Sequence, residues 1–68
     1  MDISLATALN ALTRAAAQWR QGYEDGHHNG GHSDAVEQAY ETAYVAGATQ
    51  AQADEAYQLG VDWGALAA

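Results

Sequence analysis

Residues 5–23, LATALNALTRAAAQWRQGY, decide the fold of this chain. Leu5, Leu9, Leu12, Ala16, Trp19 and Tyr23 recur at alternating steps of four and three, the spacing of an apolar seam along one face of an α-helix. No proline interrupts the run. The spacing predicts a first helix from Ile3 to about Asp25. Asp2 is placed to accept an amide of the first turn, and Arg20 lies toward the negative end of the helix dipole. Fraying is expected within GYEDGHHNGG, residues 22–31, because each glycine in a helix interior costs about 1 kcal/mol relative to alanine.

Working outward, a second start signal stands at Ser33 and Asp34. With Asp34 as N-cap, Glu37 falls where a side chain reaches back to the cap amide. This second helix is predicted to run to about Ala46. Gly47 then suits the left-handed residue that follows a helix, and Thr49 with Gln52 forms a Thr-x-x-Gln capping box that opens a third helix ending near Leu66. Gly60 and Gly64 lie inside it and weaken its expected continuity. The fold class is therefore all-α, a small bundle of one long and two shorter helices in a single domain over residues 1–68.

Two rows of small residues mark expected packing faces: Ala35, Ala39, Ala43 and Gly47 in the second helix, and Ala56, Gly60, Gly64 and Ala68 in the third. Rows with a four-residue step let backbones approach closely, and two such ridges interlock best at crossings near about −50°. Large apolar side chains are scarce, since Leu, Ile and Val together number nine and Phe is absent, while Ala numbers seventeen. A core this thin is marginal in 68 residues and favours completion by a second copy. Helix lengths argue the same way. A first helix of about 33 Å outruns a 12-residue second helix of about 18 Å, so either the third helix or a homodimer partner must cover the remainder.

Composition excludes several function classes. Without cysteine the chain has no disulfide framework and no thiolate metal site. No basic-then-apolar leader and no run of about 20 apolar residues is visible, so the expected location is the cytoplasm and no membrane partner is expected. Nine acidic against two basic residues give a net charge of −7, which opposes binding to phosphate backbones or anionic lipid and favours a protein partner with a basic surface. No lysine is present and no serine–histidine pair has an orienting third group, so no catalytic residue and no cofactor is assigned. His27, His28 and His32, with Glu24, Asp25 and Asp34 nearby, are the nearest approach to a metal cluster, but Asn29, Gly30 and Gly31 leave no fixed ligand geometry.

The stretch AYVAGATQAQADEAYQLG, residues 43–60, resembles the helix-turn-helix pattern of DNA-binding proteins. Ala43 would be the small residue of the first helix, Gly47 the turn glycine, Thr49 the cap of the second helix, and Ala53 and Ala56 its inward positions. The resemblance implies a recognition helix presenting Gln50, Gln52, Asp54, Glu55 and Gln58. That helix carries no Arg or Lys, and its acids would repel phosphates.

The acids instead fall on outer helix faces: Asp34, Glu37 and Glu41 on the second helix beside Tyr44, and Asp54, Glu55 and Asp62 on the third. These seven residues form the expected partner-binding surface of a non-catalytic interaction module. Small size, high charge of one sign and no cofactor motif resemble the small inhibitors encoded by phages, including anti-CRISPR and anti-restriction proteins. The resemblance implies carboxylates that occupy a basic, nucleic-acid-binding groove on a host protein. A structural homo-oligomer is the alternative from a different class. Trp19 is the residue on which the fold is expected to depend most, as the large ring that continues the seam beyond Ala15, Ala16 and Ala17.

Overall fold

A computed structural model describes residues 4–24 and 34–67, with the backbone alone at Tyr23, Glu24 and Ala67. The described chain is all-α: α1 spans Leu5–Glu24, α2 Asp34–Val45 and α3 Gln50–Ala67. The longest helix, α1, packs mainly on α3 and less extensively on α2, while α2 and α3 touch only sparingly.

Local chemistry fixes each boundary. At the start of α1 the hydroxyl of Ser4 accepts the Thr7 amide at 3.1 Å and donates to the Thr7 hydroxyl at 2.8 Å. Ser4 is thus the cap; Asp2, the expected cap, lies outside the described residues. α2 begins at Asp34 itself, so Asp34 and Glu37 share its first turn and favour the positive end of the dipole. It closes in a Schellman turn. Gly47 adopts φ 106°, its amide donates to the Tyr44 carbonyl at 3.0 Å, and the Ala48 amide reaches back to the Ala43 carbonyl at 2.9 Å. The Thr49–Gln52 capping box forms as expected: the Thr49 amide donates to Gln52 Oε1 at 2.9 Å and the Gln52 amide to Thr49 Oγ1 at 3.1 Å.

Ala8, Leu12, Val36, Ala43, Ala53 and Ala56 make the buried core, with Leu9, Ala39, Tyr40, Trp19 and Tyr57 packed around it. The predicted seam of α1 faces inward, Leu12 and Ala16 completely and Leu5, Leu9 and Trp19 partly. Thr13 is buried as well. Its Oγ1 lies 3.1 Å from the Leu9 carbonyl and 3.0 Å from the Ala56 carbonyl, sharing one proton between its own helix and α3.

α3 runs unbroken through both interior glycines, and the reason is the α1–α3 seam. A methyl group at Gly60 would overlap the Thr13 carbonyl and stand 2.7 Å from Ala16 Cβ; one at Gly64 would stand 2.6 Å from the Ala17 carbonyl and 2.7 Å from Arg20 Cβ. Later residues of α3 meet later residues of α1, so the two helices run in the same sense and α2 is the return leg. The small-residue row of α3 is thus its packing ridge from Ala56 to Gly64, and Ala68 lies outside the described residues. The corresponding row in α2 is only partly inward: Ala43 is buried and Ala39 half-buried, whereas Ala35 and Gly47 are exposed. Val36 replaces Ala35 on the inner face because it supplies the volume that a row of alanines lacks. The length of α1 left uncovered by α2 is met by the 18-residue α3 of the same chain.

Candidate functional site

Asp34, Glu37, Glu41 and Tyr44 follow one stripe of α2, and all four are exposed. Asp54, Glu55 and Asp62 of α3 are exposed too. Of these three the structure joins only Asp54 to the α2 stripe, through a residue that sequence reasoning did not single out. Tyr40, one turn before Tyr44, donates its hydroxyl to Asp54 Oδ1 at 3.0 Å. Its ring lies 6.1 Å from that of Tyr44 and 5.8 Å from that of Tyr57, and Tyr57 in turn lies 6.4 Å from Trp19. These separations suit tilted aromatic pairs. A chain of four rings therefore runs from α1 across α3 to the outer face of α2, tying the acidic stripe to the core. The sequence signals only the four-residue step from Tyr40 to Tyr44; the meeting of Tyr40 with Tyr57 depends on the tertiary fold.

The environment holds Tyr40 protonated well above the usual tyrosine range. Burial is the largest cause, followed by the hydrogen bond to Asp54 and the charge of that carboxylate. Burial also raises Tyr57. Asp62 accepts a hydrogen bond from the Gln58 amide nitrogen at 3.1 Å, which holds its carboxylate along α3. Glu55 stands apart from the α2 stripe and lines a shallow cleft of about 330 Å³ with Leu9, Asn10, Thr13, Gln52, Ala56 and Leu59.

In the turn between α2 and α3, Ala43, Ala53 and Ala56 are buried, Gly47 has positive φ and Thr49 is the cap. On the supposed recognition helix, Gln52 is committed to the cap, Asp54 to Tyr40 and Gln58 to Asp62. His27, His28, His32 and Asp25 lie outside the described residues, as does the side chain of Glu24. Among the described residues no group of three His, Cys, Asp or Glu is placed to hold a metal ion. No described helix is long and apolar enough to cross a membrane.

A feature unforeseen in the sequence is the outer face of α3. Leu59, Trp63 and Leu66 stand at i, i+4 and i+7 with 46%, 55% and 85% of their surface exposed. Compared with known families, with characterised proteins and with solved structures, the chain matches none.

Proposed function

We propose that this protein is a non-catalytic interaction module that binds a basic surface on another protein through the acidic, tyrosine-bearing face of α2 and α3. The observation that carries the reading is the stripe Asp34, Glu37, Glu41 and Tyr44, held outward while Tyr40 ties it to Asp54 and to the core. Carboxylates on a rigid helix, backed by aromatic rings that cost little side-chain entropy, suit recognition of a cationic patch. A basic groove that ordinarily binds nucleic acid is the natural target, since carboxylates offer it the negative charge that phosphates supply. The same charge disfavours direct DNA binding by the helix-turn-helix-like turn, which presents acids to phosphates.

Affinity capture from a host lysate tests this. Proteins retained at low salt should be released by high salt and by heparin, and should be lost from a Glu37→Lys/Glu41→Lys variant that keeps its helical circular dichroism. Retention indifferent to salt and to the double charge reversal would overturn the reading.

A further inference from the structure

We infer that the open groove between α1 and α3 takes an amphipathic helix of another protein, its apolar side on Leu9, Leu59 and Trp63 and its Lys or Arg residues along the edge facing Glu55 and Asp62. The surface is distinct from the α2 stripe, because the cleft is walled by α1 and α3 alone.

Three observations lead here. First, α3 is apolar on two faces. Ala53, Ala56, Gly60 and Gly64 are spent on packing within the chain, which leaves Leu59, Trp63 and Leu66 as a second line presented to solvent. Contiguous exposed apolar side chains on a soluble fold mark contact surfaces, and Trp is the side chain most enriched at their energetic centres.

Second, the shape suits a helix better than a small ligand. The cleft lies at the low end of the roughly 300–1,000 Å³ usual for ligand pockets and is open to solvent. The apolar line continues two turns past it, so the surface from Gln52 to Leu66 extends about 21 Å, the length of about four helical turns. A helix with anchors at steps of three and four fits a groove of that form.

Third, charge selects the occupant. Glu55 and Asp62 are seven residues apart in α3 and stand on one flank of the line through Leu59 and Leu66, both exposed. On the opposite wall α1 presents the neutral Asn10, with the exposed Arg14 one turn on. The complement is a helix with cations along one edge only. A second copy of this chain is a poor fit. It carries a net charge of −7 and would bring its own Glu55 and Asp62, with Arg14 as the one exposed arginine among the described residues to offset them.

The probe is a synthetic peptide of about five turns with Leu at positions i, i+3, i+4 and i+7, Lys along one edge of that line and Gln elsewhere. Controls are the same composition in scrambled order and the same pattern with Glu for Lys. In a Trp19→Phe variant Trp63 is the sole tryptophan, and the patterned Lys peptide should shift its emission to the blue and shield it from iodide. If that variant fails to fold, the parent-minus-Trp63→Phe difference spectrum supplies the same readout. Leu59→Ser should weaken binding at least about tenfold, equivalent to about 1.4 kcal/mol, and Glu55→Gln/Asp62→Asn should weaken it and flatten its salt dependence. Glu37→Gln/Glu41→Gln should leave the Trp63 shift in place, which separates this groove from the α2 face. Binding that leaves Trp63 unshifted, or an equal response to the scrambled peptide, would overturn the inference. So would Trp63 already blue and shielded in peptide-free protein that sediments as a dimer, since the occupant would then be a second copy.

Discussion

Gly60 of α3 and Thr13 of α1 meet backbone to backbone, with no room between them for a single methyl group. In an exposed helix, glycine to alanine gains about 1 kcal/mol. Here the added carbon would have to push two helices apart, and overpacking of this kind costs about 1–3 kcal/mol or more. Gly60→Ala should therefore lower the thermal midpoint despite its better helix propensity. Gly22→Ala is the control, because a methyl group there meets nothing within 4 Å. It should raise the midpoint, by up to the roughly 4–8 °C that 1 kcal/mol represents in a domain of this size. Equal behaviour of the two variants in thermal melts would show that the close approach is not maintained in solution.

Thr13→Val tests the polar component of the same seam. The change keeps the shape of the side chain and removes the hydroxyl shared between the Leu9 and Ala56 carbonyls. A typical net hydrogen bond contributes about 0.5–1.5 kcal/mol, so the loss should fall in that range and below that of Gly60→Ala. Urea unfolding monitored by circular dichroism measures it.

The two tryptophans should respond oppositely to truncation. Trp19 is half-buried and stacked near Tyr57, so Trp19→Ala should cost toward the lower end of the about 3–5 kcal/mol known for buried Trp. That approaches the whole stability that a core this small supplies, about 3–5 kcal/mol, so the variant should be marginally stable, with a measurable unfolded fraction at ambient temperature and a much lower thermal midpoint. Trp63→Ala, at an exposed site, should stay within about 0.5 kcal/mol of the parent. A Trp19→Ala protein that melts like the parent would remove Trp19 from the core.

Alkaline pH should expose the Tyr40–Asp54 pair. Because folding raises the pKa of Tyr40, the folded state holds that proton more tightly than the unfolded chain does. The stability this linkage supplies is complete below the unfolded value, about pH 10, and declines as pH rises above it. Thermal midpoints should fall above that pH, and Tyr40→Phe should fall less steeply while losing the hydrogen bond at all pH values. Absorbance at the tyrosinate band should show the most resistant tyrosine vanish in Tyr40→Phe.

The sequence carried the elements plainly where local chemistry dominates. The four-and-three spacing from Leu5 to Trp19, the Thr49–Gln52 box and Gly47 act within a turn or two of themselves, and each appears as expected. The row Ala56, Gly60 and Gly64 was legible as a packing face and is buried against α1, whereas the second, apolar line that α3 turns outward lay hidden. In a chain rich in alanine, burial follows closeness of approach more than side-chain size. Ala53 and Gly60 are inside while Leu59 and Leu66 are outside, and a reading weighted by hydrophobicity has no reason to prefer that arrangement. In α2 size did decide, since Val36 took the inner position that the row of small residues had suggested for Ala35. Within the proposed acidic surface, the carboxylates could be placed from helical spacing. The bond from Tyr40 to Asp54 links residues fourteen apart on different helices, and only the tertiary fold brings them together.

The shared direction of α1 and α3 has a mechanical consequence. The start of α1 and the end of α3 lie at opposite ends of the seam, so tension applied between them slides one helix along the other. The contacts of Thr13, Gly60 and Gly64 then bear the load together, in shear, and do not open one after another as in a peeled hairpin. Pulled from those two points, the bundle should resist until the whole seam yields at once, whereas force applied across Gly47 should separate α2 from α3 with little opposition.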